Sequence, residues 1–136
     1  MDLFDVSMPE GDLSAMSSIA LAHAGDAVYE LMTRTWLCLH GRETGKGLHR
    51  ATVALVCANA QAERSERIQP LLTEAEHDVF RRGRNANVHT IPHSADRATY
   101  QQATALEALF GWLWLRGEKA RLNELFAAMM EETDGT

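Results

Sequence analysis

Residues 103–115 read ATALEALFGWLWL, and Glu107 is the one ionisable side chain among them. A helix that is apolar on every side has to be enclosed by other elements. At this length it falls short of the ~20 residues that cross a bilayer, so it belongs inside a water-soluble core. Extended back to Arg97, the segment reads as one helix ending at Gly117. A second stretch, IALAHAGDAVY at residues 19–29, has the same character, with Asp26 as its sole acid.

The flanking sequence supports an all-α class, because no run alternates with the period of two that a half-buried strand requires. Leu13 to His40 is predicted helical, with Ser14 as N-cap and Gly41 as stop, bent or divided at Gly25. GRETGKG (residues 41–47) reads as a turn, and residues 48–64 as one amphipathic helix rich in Ala. Pro70 closes a connector. Thr73 with Glu76 three residues later is a capping box for a helix running through RRGRNA. Residues 87–96 read as a loop around Pro92, and a last helix covers about 119–130. The expected organisation is a single domain over residues 13–130, between an acidic N-terminal tail (1–12) and a C-terminal tail (131–136), both mobile.

The 136 residues are 46% hydrophobic and 24% charged, which excludes disordered and low-complexity classes. The net charge of -6 is unevenly spread: residues 1–12 carry four acids and no base, while residues 13–117 carry eleven bases against ten acids. A polyanion can therefore approach the middle of the chain, most easily with a divalent cation. The acidic N-terminus lacks the positive charge of a secretory signal and no apolar run reaches membrane-spanning length, which points to the cytoplasm and away from membranes. Cys38 and Cys57 form no CxxC pair and read as buried or incidental thiols.

Three features carry chemistry. Glu107 needs a partner to compensate its burial: an arginine, a hydrogen-bond network or a metal. Asp26 reads either as a helix cap beside Gly25 or, if its helix packs on that of Glu107, as the second carboxylate of a Mg²⁺ site. Gly111, one turn after Glu107, permits such close packing. The third feature is the basic cluster Arg81, Arg82 and Arg84, with Asn85 and Arg97, more cations than C-terminal helix capping explains and suited to phosphate oxygens. GRETGKG is no phosphate loop, since its spacing is one residue short and Gly47 stands where a hydroxyl would bind Mg²⁺. His23 reads as a packing or supporting residue near Asp26, and Ser14, Ser17 and Ser18 lack a triad context.

ALAHAGDAVYELMTR, RRGRNA and YQQATALEALFGWLWL, in that order and spacing, resemble the Mini-ribonuclease III family, with LHRATVALVCANAQA fitting the intervening helix and the likeness running from about Leu13 to Leu125. The resemblance implies an all-helical ribonuclease III-type catalytic domain that works as a homodimer and lacks the double-stranded-RNA-binding domain of ordinary ribonuclease III. It implies Mg²⁺-dependent cleavage of double-stranded RNA, notably precursor large-subunit (23S) ribosomal RNA, leaving 5′-phosphate and 3′-hydroxyl ends. Mn²⁺ would substitute for Mg²⁺, and a large-subunit ribosomal protein is a potential partner. Asp26 falls on the aspartate of the family's GDAV signature and Glu107 on the glutamate of its EA-x-x-G helix, making both the expected metal ligands and catalytic residues. The expected nucleophile is a metal-activated water. Arg81, Arg82, Arg84, Asn85 and Arg97 are the expected RNA contacts, and Tyr100 and Thr104 are expected to orient the carboxylates. Ala22 and Thr104 stand where ordinary ribonuclease III has further carboxylates, so the ligand set is lean. Asn87 and His93 stand where relatives often carry lysine. Two rivals remain: a non-catalytic RNA- or ribosome-binding module of the same fold, which retention of both carboxylates disfavours, and a helical Mg²⁺-dependent nucleotide pyrophosphohydrolase, of whose ExxE…ExxD pattern only Glu63 and Glu66 are present.

Overall fold

The computed structural model describes residues 1–40, 45–86 and 96–134, with side chains as far as residue 131. The described residues form seven α-helices and one 3₁₀ turn and contain no strand. The helices are α1 (Glu10–Ser14), α2 (Ser18–His40), α3 (Gly45–Val56), α4 (Ala58–Ile68), α5 (Glu74–Arg84), α6 (Arg97–Leu115) and α7 (Lys119–Asp134). The chain is all-α, and none of these helices is long and apolar enough to cross a membrane.

Helix α6 is the axis of the fold, with α2, α4, α5 and α7 packed around it. Leu106, Leu109, Phe110 and Leu113 are fully buried there, with Tyr29, Ile68, Phe80, Leu125 and Met129 from the surrounding helices. Its start is capped by Asp96, whose carboxylate accepts the Thr99 N–H at 2.8 Å. It ends at Gly117, whose φ of +82° lets the Gly117 and Glu118 N–H groups return to the carbonyls of Trp114 and Leu113.

Helix α2 departs from the expected pattern at both of its glycine and serine signals. Ser17, not Ser14, caps it, accepting the Ala20 N–H at 3.1 Å, while the Ser14 hydroxyl donates to Gly11 O. Gly25 does not divide the helix, which runs unbroken from Ser18 to His40. It lies where α2 and α6 touch backbone to backbone: a Cβ added there would sit 1.6 Å from the Glu107 carbonyl oxygen, and one added at Gly111 would sit 1.9 Å from that of Leu21. These paired glycines set the distance between the two helices.

The Ala-rich segment is two helices rather than one. Cys57 adopts an extended conformation between α3 and α4, and the carbonyl of Val56 is supplied with a donor by the Gln61 side chain, Nε2 at 3.0 Å. The capping box at α5 is as expected: Thr73 Oγ1 accepts the Glu76 N–H at 3.2 Å, and Glu76 Oε1 accepts the Thr73 N–H at 2.8 Å. The same carboxylate takes two 2.8 Å hydrogen bonds from Arg121 of α7, so one buried side chain both caps a helix and ties down its neighbour. Burial would raise the Glu76 pKa, but the bonds from Arg121 and Thr73 outweigh it and hold the carboxyl below its usual value.

The acidic N-terminal residues do not form the mobile tail expected of them. Met8 N–H donates to Leu115 O at 2.7 Å, Lys119 Nζ donates to Phe4 O at 2.9 Å, Arg116 pairs with Glu10, and Phe4 packs edge-on against Trp114. Opposite charge on the α6–α7 corner holds this acidic strap. Both cysteines are free and exposed, so of the two readings, buried or incidental, the incidental one holds. Of GRETGKG, residues 41–44 lie outside the described residues and Gly45–Gly47 open α3. Of the expected loop at 87–96, residues 87–95, with Asn87 and His93, also lie outside them, and Asp96 caps α6.

Candidate functional site

The close approach of Gly25 to Glu107 brings Asp26 and Glu107 together, because Asp26 follows the contact glycine and Glu107 supplies the contact carbonyl. Two readings considered for these residues fail. Asp26 is no helix cap, since it lies in mid-helix, and it is exposed rather than buried. Glu107 has no arginine partner among the described residues; its neighbours are Asp26 and Gln61.

Burial raises the Glu107 carboxyl first, the negative charge of Asp26 second and a hydrogen bond with Asp26 third, against an opposing Gln61 contact, so that its pKa reaches about 8. Two carboxylates in contact require a shared proton or a cation between them. Hard oxygen donors with an exposed edge suit a hydrated divalent ion such as Mg²⁺, which keeps several waters and takes one or two carboxylates. The site therefore fits such an ion through Asp26 and Glu107. Among the described residues no group of three or more His, Cys, Asp or Glu side chains could hold a metal, so the protein's charged contribution is these two.

The buried side of the site is built by α4. Gln61 is 2% exposed, and its Nε2 faces both Val56 O and, at 3.5 Å, Glu107 Oε2. Tyr29, one turn after Asp26, donates its hydroxyl to Leu55 O at 3.1 Å, and burial pushes its pKa to about 12 against the opposing field of Arg64. None of Gln61, Tyr29 and Arg64 stands out in the sequence as a site residue. The available signal was Gln61 standing among alanines on the inner face of a helix.

The expected supporting residues are placed differently. Thr104 is buried, but its hydroxyl donates to Tyr100 O at 3.0 Å and so has no proton to spare for Glu107. Tyr100 is half-buried, and His23 is exposed one turn before Asp26. The basic cluster lies at the end of α5, where Gly83 lets the chain ride on α6: its Cβ would meet the Ala108 side chain at 2.9 Å and the Ala105 Cα at 3.0 Å. That contact seats Arg84 and Asn85 beside the helix that carries Glu107. Arg81 and Arg82 both pair with Asp78, the latter at 3.1 Å. Arg84, Asn85 and Arg97 are exposed. Each Asp78 pair is more than half exposed on its arginine, so it is weak and exchangeable with phosphate. Glu63 and Glu66 engage Arg67 and Gln102 instead of meeting the two carboxylates, which removes the basis of the pyrophosphohydrolase pattern.

The ribonuclease III domain profile matches residues 19–118. Mini-ribonuclease 3 of Thermoanaerobacter sp. is 44% identical over 126 residues, spanning 90% of this chain and 88% of that protein. That of Symbiobacterium thermophilum is 46% identical over 110 residues, spanning 81% and 85%. The crystal structure of a Fusobacterium nucleatum protein is similar with a TM-score of 0.81 at 27% identity, covering 90% of this chain and 98% of that one.

Proposed function

From the premise that this chain belongs to the Mini-ribonuclease 3 family, a family of ribonuclease III-type endoribonucleases, we propose that it hydrolyses double-stranded RNA at the Asp26–Glu107 pair. We further propose precursor 23S ribosomal RNA as the substrate, with 5′-phosphate and 3′-hydroxyl products, in the cytoplasm. The carrying observation is the contact between Asp26 and a Glu107 carboxyl whose pKa is raised to about 8, with no cationic side chain among the groups that act on it.

In this reading Asp26 and Glu107 hold Mg²⁺ or Mn²⁺. When bound, the ion supplies water activation and neutralises charge developing on the phosphate. The chain's own residues do the rest. Asp26 presents its carboxylate at the exposed edge that a phosphodiester can reach, and Glu107 is held from behind by Gln61. Arg84, Asn85 and Arg97, with Arg81 and Arg82 released from Asp78, grip backbone phosphates. Such contacts read A-form shape rather than base sequence. His23 lies one turn before Asp26, and Thr104 and Tyr100 lie one and two turns before Glu107, as supporting residues that do not touch the reacting atoms.

A homodimer completes the reading, since two sites related by a two-fold axis cut both strands. Its support is a row of exposed residues on α2 at four-residue spacing, Ile19, His23, Ala27 and Leu31, next to Asp26; Ile19 is 46% and Leu31 50% exposed. A ribosomal protein that shapes the RNA is a further proposed partner. The test is cleavage of a long RNA duplex with and without Mg²⁺ by the native chain, Asp26→Asn and Glu107→Gln, each verified as folded. Cutting by the native chain that is lost in both variants is the expected result. Duplex binding without cutting at any Mg²⁺ concentration would instead establish a binding module.

A further inference from the structure

We propose that the exposed face of α3, through Lys46, His49 and Arg50, is a second contact for the RNA backbone, gripping duplex that lies beyond the cleaved bond. The inference rests on the double-stranded-RNA reading above for the identity of the polyanion.

Charge is segregated over the described surface. Nineteen acids are spread through the chain, yet residues 45–62 contain none. Lys46, His49 and Arg50 stand at i, i+3 and i+4 in that stretch, so they share one face of α3, and all three are exposed. Among the described residues neither Lys46 nor Arg50 has an ion-pair partner. At the α6–α7 corner, by contrast, the acidic strap neutralises Arg116 with Glu10 and Lys119 with Asp5. Arg121 is committed to Glu76, and Arg34 and Arg67 to acids one turn away. Arg64 has no ion pair either, but its Nε is buried and its field falls on the Tyr29 hydroxyl. Outside the basic cluster of α5 and α6, the positive charge left open to a polyanion is therefore on α3.

Helix stability does not account for this placement. The three residues occupy the first half of α3, with no acid in its first turn, so cations face the positive end of the helix dipole. Arg81, Arg82 and Arg84 differ in this respect, because they sit at the C-terminal end of α5, where the dipole favours them. A polyanion lying across α3 offsets the unfavourable placement.

The face is also fixed relative to the candidate site. Tyr29, one turn after Asp26, donates to Leu55 O, and Gln61, which faces Glu107, donates to Val56 O. From Leu55 back to Arg50 and Lys46 the helix rises about 7.5 and 13.5 Å. The cations are thus displaced along α3 from the end tied to the site. Lys46 and Arg50 are one turn and about 6 Å apart, suited to successive phosphates of one strand. His49 between them offers a ring N–H to a phosphate or a 2′-hydroxyl. The face continues through Val53 and Ala54, exposed and uncharged, so nothing on α3 repels a duplex running along it.

The test is binding and cutting of a long RNA duplex by the native chain, Lys46→Gln/Arg50→Gln, Arg50→Lys and Lys119→Gln, each verified as folded by melting in chelator. Binding is followed by fluorescence anisotropy in chelator between about 50 and 200 mM salt. Loss of two phosphate contacts in the double variant is expected to lower the slope of log K against log salt by about 1.8 and to raise Kd about 10–100-fold. In Mg²⁺ the KM for cutting should rise with kcat unchanged, since the contact is made equally in the ground and transition states. Arg50→Lys, which keeps the charge, and Lys119→Gln, whose charge the strap already neutralises, are expected to keep the native slope. An unchanged slope in the double variant overturns the proposal. An equal drop in Lys119→Gln overturns it as well, because net charge alone then sets binding. Failure of the underlying reading shows separately, as a native chain that does not cut the duplex with Mg²⁺ present, and the slopes then still decide the α3 contact.

Discussion

Substituting Gly25 by alanine isolates the contact on which the site depends. Gly25 has no positive φ, so its backbone accepts any side chain, and in a helix interior the change should by itself gain about 1 kcal/mol. The added methyl would lie 1.6 Å from the Glu107 carbonyl oxygen and 2.7 Å from the Gly111 nitrogen. Both neighbours are backbone and cannot rotate aside. Reaching even a tight contact of about 3.4 Å would part α2 and α6 by about 1.8 Å. Overpacking a core costs about 1–3 kcal/mol where side chains can adjust, and a clash between two backbones exceeds that range. Even after the propensity gain, we expect a net loss of about 3 kcal/mol. For a chain of this size that lowers Tm by about 10 °C. The same displacement draws Asp26 away from Glu107, and misplacement by 1 Å is worth about 10²-fold in rate. Melting in chelator, followed by far-ultraviolet circular dichroism, measures the first effect and duplex cleavage the second. Gly11→Ala, with nothing within 4 Å of the new methyl, is the control and should shift stability by less than about 1 kcal/mol. A Gly25→Ala protein melting within 2 °C of Gly11→Ala would refute the argument.

Other outcomes follow from the titrating groups and the basic cluster. Because the folded pKa of Glu107 is raised from 4.5 to about 8, the folded chain holds more protons than the unfolded chain between those values. Metal-free stability should therefore fall as pH rises through that window, by at most about 5 kcal/mol, and Glu107→Gln should flatten the slope in denaturant titrations. Glu76 has the opposite sign: its lowered pKa contributes stability above the usual carboxylate pKa that is lost as pH falls through the folded value. Arg121→Met leaves that buried carboxylate without its cation and should cost about 3 kcal/mol at pH 7 by urea unfolding. Arg84→Ala and Arg97→Ala should each reduce the salt dependence of RNA binding by about one ion, with uniform loss across duplex sequences, and an unchanged slope would remove that residue from the interface.

What the sequence disclosed and what it hid divide along a physical line. Glu107 and Asp26 were legible because a lone charge in an apolar segment needs compensation, and that need is visible without coordinates. The contact role of Gly111 was legible because glycine one turn from a buried carboxylate has few other uses. Gly25 was misread as a break because a glycine that ends a helix and one that admits a neighbouring backbone look alike in one dimension. The division at Cys57 was hidden because neither glycine nor proline marks it; the Gln61 side chain stabilises it by replacing a backbone donor. The same ambiguity hid Gln61, whose importance comes from a residue 46 positions away. The docked N-terminal strap was illegible for the same reason, since its partners lie on the α6–α7 corner.

The central place of α6 also sets the order in which this protein can be assembled. Residues 97–115 leave the ribosome after α2, α4 and α5, whose faces that pack on α6 stay uncovered until it arrives. At about 5–20 residues per second, the wait from the end of α2 to the end of α6 lasts several seconds. During it, Tyr29, Ile68 and Phe80, all fully buried at the end, are exposed to other nascent chains. A ribosome stalled before residue 97 thus displays a chain with most of its helices and without the helix that closes its core.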